Sequence, residues 1–196
     1  MIPVLTPEEM NAVDAAAPES VEELIRRAAA AVSAAAIELL GGTYGRRVVV
    51  VAGPGNNGED GRVAAELMRR RGVKVTVIDT TATSVPLPEA DLVIDAAFGT
   101  GLRRNYDAPD GGGTPVLAVD ICSGVSGLTG AALGSPAPAF ATVTFAALKP
   151  GLLFADGPTH SGEILLADIG LDTSSAACHL VVDADVVSWI PPRPAS

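Results

Sequence analysis

Val48-Val49-Val50-Val51-Ala52-Gly53-Pro54-Gly55-Asn56-Asn57-Gly58-Glu59-Asp60-Gly61 decides the fold of this chain. The four valines form a short β-branched run without polar alternation, the pattern of a strand buried on both faces. A glycine-rich turn follows, then a helix from about Asp60 to Arg71, closed by three arginines and Gly72. Val73 to Ile78 reads as the next strand. Strand, tight turn, helix and strand make a βαβ unit, so the fold class is α/β with a mostly parallel sheet. Further short apolar runs continue the sheet: Leu92 to Asp95, Val116 to Ile121, Thr142 to Phe145 and Ile164 to Asp168. A weaker strand is expected at Leu180 to Val182 and a short helix near Asp185 to Trp189.

Upstream, Thr6-Pro7-Glu8-Glu9 and Ser20-Val21-Glu22-Glu23 each read as a capping box opening a helix. The second helix carries Val21, Leu24, Ile25, Ala28, Val32, Ala35, Ala36 and Leu39 at helical spacing and stops at Gly41-Gly42.

Composition bounds the function. The chain has 196 residues, 48% hydrophobic and 18% charged, enough for one domain with a core of its own. Thirteen Lys and Arg against 23 Asp and Glu leave a net charge of −10, which argues against nucleic acid as a partner. The uncharged stretch Ile121 to Leu148 is interrupted by Gly124, Gly127, Gly130, Gly134, Pro136 and Pro138, so it reads as no membrane helix. The first residues are neither basic nor a long apolar run, and two cysteines, Cys122 and Cys178, are too few for a disulfide framework; a cytoplasmic protein is expected.

In parallel sheets, ligands bind beyond the carboxyl ends of the strands. The unusual residues of this sequence fall there. Gly53-Pro54-Gly55-Asn56-Asn57-Gly58 matches G-x-G-x-x-G, and Asp79 follows at the spacing of a ribose-binding carboxylate. Taken alone, this describes either an NAD-dependent oxidoreductase or a strand-to-helix turn without a ligand. Glu59-Asp60 weakens the first reading, because acidic groups at a helix start repel a pyrophosphate laid on it. Asp95 and Asp120 each end a strand, where Asp is otherwise disfavoured. Asn57, Asp95 and Ser123 offer oxygen ligands that suit a hard cation. Lys149, one of only two lysines, also follows a strand. Cys122 reads as a small buried thiol rather than a nucleophile.

Together, Ala52 to Gly61, Asp95 to Gly101, Val119-Asp120-Ile121-Cys122-Ser123-Gly124 with Thr129-Gly130, and Thr144 to Gly151 with Gly162-Glu163 and Asp168-Ile169-Gly170 resemble the N-terminal domain of the YjeF family, the NAD(P)H-hydrate epimerases. They occur in the family's order across roughly residues 5 to 190. The resemblance implies a three-layer α/β/α, Rossmann-like domain over residues 1–190, with 191–196 as a tail or linker remnant. It implies an enzyme that interconverts the R and S forms of hydrated NADH and NADPH (NADHX and NADPHX). It also implies a potassium ion, and as functional partner an NAD(P)HX dehydratase that in some relatives is fused behind the linker. Asn56, Asn57, Gly58, Glu59, Asp60, Gly99, Thr100, Gly101, Leu102, Arg103, Arg104, Asn105 and Asp120 would touch substrate. Asn57, Asp95 and Ser123 would hold potassium, and Asp120 and Lys149 would carry the acid–base chemistry.

The sequence departs from the family pattern in places. Glu59 stands where a second Gly is usual, which strains the backbone only if that position has φ > 0. Asp79 to Ala90 and Leu102 to Thr114 are crossover connections shorter than the family norm. They predict a sheet face left partly bare unless a partner, such as the second copy in a homodimer, covers it. The same losses support the alternative of a non-catalytic binding or scaffold domain.

Overall fold

The computed structural model describes residues 1–80 and 86–189. The expected tail at 191–196 lies outside the described residues. In chain order the elements are β1 (Ile2–Val4), α1 (Pro7–Ala16), α2 (Val21–Leu39), β2 (Arg47–Ala52), α3 (Asn56–Arg70), β3 (Lys74–Asp79), β4 (Leu92–Ala96), β5 (Tyr106–Asp107), β6 (Val116–Val119), β7 (Gly134–Ser135), β8 (Ala141–Phe145), α4 (Pro150–Leu153), α5 (Gly157–Ser161), β9 (Glu163–Ala167), β10 (Cys178–Leu180) and α6 (Asp183–Trp189). Six strands form one sheet in the order β3-β2-β4-β6-β8-β9. Every neighbouring pair is parallel.

Strand parity divides the core. Val48, Val50 and Ala52 of β2, with Leu92, Ile94 and Ala96 of β4, face α2 and α3. The alternate residues Val49, Val51, Val93, Val116 and Ala118 face the other way. That second face is where right-handed crossovers leading to β4 and β6 must pass. Among the described residues neither crossover contains an α-helix. The face is nevertheless not bare: Val116, the most open of those five, is 9% exposed. Leu87, Phe98 and Ala137 pack on it from irregular segments and Tyr106 from β5, with Leu148 and Leu152 from the region of α4. A groove of about 510 Å³ remains on this face, lined by Val51, Leu87, Val93, Tyr106 and Val116 among others. The small ribbon β5–β7 holds part of this layer in place.

The sequence reading needs correction at three points. The helix after the glycine turn starts at Asn56, four residues before the expected Asp60. Glu59 is thus helical and absent from the left-handed residues, so it causes no strain. At the second helix, Ser20 accepts from the Glu23 N–H at 3.3 Å, but no reciprocal bond forms. The Glu23 carboxylate is instead taken by Arg26 and Arg27, at 2.7 and 2.8 Å. Thr6 and Glu9 do form both halves of their box. Finally, the strand expected at Leu180 to Val182 is β10, antiparallel to β1, a strand too short to show any period in the sequence.

The fingerprint glycines are required by packing. A Cβ on Gly53 would lie 1.8 Å from the Ala97 carbonyl oxygen, and one on Gly58 1.9 Å from that of Gly53. The β2–α3 turn and the segment after β4 therefore touch backbone to backbone. Gly58→Ala is expected to lower stability by at least about 1–3 kcal/mol. Glu59→Gly, in an exposed helical position, should cost only about 0.5–1 kcal/mol. Urea denaturation of both variants checks the contrast.

Candidate active site

The sheet order reverses beside β2: the chain passes from β2 outward to β3, then returns to β4 on the other side. Such a switch point leaves a crevice at the carboxyl ends of the strands. Here it is a cleft of about 730 Å³. Asn56, Asn57 and Asp60 enter it from α3, Gly99 to Arg104 from the segment after β4, Asp120 from the end of β6, and Lys149 from the end of the β8–α4 connection. Gly58, Glu59 and Asn105 do not line it. Gly58 is buried against Gly53, while Glu59 and Asn105 point outward on exposed backbone. Asp79 is also outside, ion-paired with Arg62, so the carboxylate needed by the oxidoreductase reading is already engaged.

The first two helices supply a wall that motif reading did not find. Met10, Asn11 and Asp14 of α1 and Val21, Leu24 and Ile25 of α2 line the cleft. The signal was present in the apolar stripe of α2. Burial within α2 begins only at Ala28, so the stripe's first turns serve the cleft rather than the core.

The centre of the cleft is an ion pair. Lys149 Nζ lies 2.6 Å from Asp120 Oδ1. It also donates to Thr144 Oγ1 at 2.9 Å and to the Phe145 carbonyl at 3.0 Å, so its three protons are all committed. The lysine side chain is 2% exposed. β1 and the residue after it bond to the same connection: Leu148 N–H donates to the Pro3 carbonyl and Leu5 N–H to the Leu148 carbonyl, both at 2.9 Å. Both partners leave their strands through unusual backbone. Asp120 has φ 68° and Ala146 φ 61°. In each case the next N–H bonds back across it, Ile121 to Val119 and Ala147 to Phe145. Two γ-turns with left-handed centres thus sit side by side at the ends of β6 and β8. Non-glycine residues hold such φ only where the surroundings enforce it, commonly at functional sites.

A second group of residues lies beneath. Asp95 ends β4 and is 6% exposed. It accepts from Ser123 N–H at 2.8 Å, Ser123 Oγ at 2.6 Å and Ala97 N–H at 3.3 Å. Ser123 Oγ in turn accepts from Phe98 N–H at 2.8 Å. Burial pushes the Asp95 carboxyl up, against the pull of those hydrogen bonds, and no cation pairs with it among the described residues. Asn57 stands beside Gly99 together with Asp120. It makes no hydrogen bond to Asp95 or Ser123, and its buried Nδ2 has no partner. Among the described residues no group of three His, Cys, Asp or Glu side chains could hold a metal. Cys122 is fully buried, donates to the His160 carbonyl at 2.8 Å, and burial pushes its thiol up to about 12. It is therefore no thiolate nucleophile.

Asp60 is 8% exposed, and its carboxyl is raised to about 8, by burial first and then by Asp120, Glu59 and Asp14. An Asp in the unfolded chain ionises near 3.9. Between those values the unfolded state holds fewer protons than the folded one, so stability falls as pH rises from about 4 to about 8. Asp60→Asn should therefore stabilise the fold at pH 8 and make no difference at pH 3, as thermal melts across pH will show. Lys149→Met, which leaves Asp120 without its counter-charge, should cost on the order of 3 kcal/mol.

The comparisons agree with this geometry. Residues 21–86 and 78–151 match the family described as YjeF-related protein N-terminus. An NAD(P)H-hydrate epimerase of Levilactobacillus brevis is 35% identical over 157 residues, covering 64% of this chain and 73% of that protein. The bifunctional NAD(P)H-hydrate repair enzyme Nnr of Escherichia coli K12 is 33% identical over 186 residues, covering 76% of this chain but only 36% of its own length. The crystal structure of the yeast protein ynu0 superposes with a TM-score of 0.65 at 19% identity, over 84% of this chain and 87% of that one. With the family's match spanning most of the chain, and the cleft built from its shared segments, the chain belongs to the YjeF-related N-terminal family.

Proposed function

We propose that this protein is an NAD(P)H-hydrate epimerase, acting on NADHX and NADPHX, with the cleft at the switch point as its active site. The observation that carries the reading is the Asp120–Lys149 pair, a carboxylate fixed on strained backbone at the strand ends where a nucleotide binds. The epimerase and repair-enzyme relatives support the reading. Epimerisation requires the hydroxyl at C6 of the hydrated ring to leave one face and return on the other. Asp120 is suited to move the proton at that oxygen. Lys149 has no free donor, so its part is to orient Asp120 and balance its charge. Asn56, the first turn of α3 and the loop Gly99 to Arg104 would hold the nucleotide. Arg103 and Arg104 on that loop supply positive charge for its phosphates.

The residues fit a potassium ion. Asp95 is a buried carboxylate without a counter-ion among the described residues, and its neighbours Ser123 and Phe98 present oxygens; from Asn57 only the amide oxygen could serve as a ligand. Asn57, Asp95 and Ser123 would hold the ion, which would supply the missing positive charge and stiffen the segment that carries Gly99. Repair would be completed by an NAD(P)HX dehydratase, separate or fused. The chain spans 36% of the bifunctional Escherichia coli relative, which leaves room for such a domain there.

Resolving the two epimers by chromatography tests the proposal. The protein should interconvert them faster than they do spontaneously, and Asp120→Asn should lose about 10²–10⁴-fold of that rate while still folding. Full activity in the variant removes Asp120 from the chemistry.

A further inference from the structure

Two carboxyls that line the cleft, Asp14 and Asp60, have no side-chain partner among the described residues, and of the two only Asp60 is buried. It projects from the second turn of α3, is 8% exposed and lines the same cleft as Asp120. Asp120 is committed to Lys149 and Asp95 to Ser123. Asp60, by contrast, has no side-chain hydrogen bond or ion pair among the described residues. Aspartate is a poor residue for a helix interior and is rarely buried without a partner. Nothing in the packing offsets that cost.

A hydroxyl that departs from one face of a ring and returns on the other needs proton transfer on both faces. One fixed carboxylate serves only one of them. Resting on the epimerase reading above, we propose that Asp60 is the second acid–base group of the reaction, serving the ring face opposite to that served by Asp120. The proton balance is simple. Protonated Asp60 gives its proton to the C6 hydroxyl, the C6–O bond breaks and water departs, while the lone pair of the ring nitrogen forms an iminium with C6. Water then adds to the opposite face, its O–H electrons staying on oxygen as Asp120 accepts the proton, and the nitrogen recovers its lone pair. The other epimer runs the same steps in reverse, and proton exchange with solvent returns Asp60 to its acid form and Asp120 to the carboxylate paired with Lys149 before a further turnover in the same direction. Burial, and then the negative charges of Asp120, Glu59 and Asp14, favour the protonated form of Asp60. Lys149 is spent on Asp120, and Arg103 and Arg104 lie on the loop across the cleft.

The test uses pure epimers in ¹⁸O-water, with inversion read by chromatography and oxygen exchange by mass spectrometry. In Asp60→Asn, inversion should fall by about 10² or more. Exchange of the C6 oxygen without inversion should persist for one epimer, because Asp120 can still release and return water on its own face. A circular-dichroism melt establishes that the variant is folded. Inversion within about threefold of the unsubstituted protein would overturn the role of Asp60 and leave the epimerase reading standing. Loss of inversion and exchange for both epimers in a folded variant would also overturn it, making Asp60 a substrate-holding group. If the unsubstituted protein itself inverts neither epimer beyond the spontaneous rate, the epimerase reading fails and this inference with it.

Discussion

The buried pair between Lys149 and Asp120 is the constraint on which the site depends. An ammonium with 2% of its side chain exposed is tolerable only when every proton has an acceptor. Those acceptors come from three places: the end of β6, the side chain of Thr144 and the backbone of Phe145. Satisfying them forces the left-handed turns at Asp120 and Ala146. It also gives the N-terminal strand a purpose, since β1 bonds to Leu148 immediately before the lysine. The pair therefore ties the sheet ends, the N-terminus and the cleft into one unit.

The second structural economy concerns the sheet. Both long helices, α2 and α3, pack on one face, and the strands' alternate residues bury against irregular segments, β5 and the region of α4 on the other. Among the described residues, the connections into β4 and β6 hold no α-helix. The active-site cleft draws its walls from α1, α2, α3, the strand ends and the loop Gly99 to Arg104. The epimerase and repair-enzyme relatives do not favour the scaffold alternative.

Much of this was legible in the sequence because the signals were local. The valine run, the glycine turn and the short apolar stretches specified a parallel sheet with its ligands at the carboxyl ends, and the motif residues Asn57, Gly99 and Asp120 do meet there. What was hidden depends on contacts distant in sequence. The glycines of the turn are explained by the approach of Gly53 to Ala97, which no spacing reveals. The engagement of Lys149 by Asp120 joins residues from two loops. The helix start at Asn56 was misplaced because Asn-Asn-Gly is weak in helix propensity, while packing on the neighbouring turn overrides it. Glu59 was a concern only under the assumption of a left-handed position. Asp14 and the first turns of α2 carry no motif, so their place in the cleft appears only with the tertiary fold.

The epimerase assignment rests on the cleft, and one coupled assay reaches it most directly. The protein is mixed with R-NADPHX, potassium and a dehydratase that accepts only the S epimer, and the recovery of NADPH absorbance is followed. Recovery well above the spontaneous rate is the predicted result. Recovery no faster than in the absence of the protein, from material shown to be folded, would contradict it.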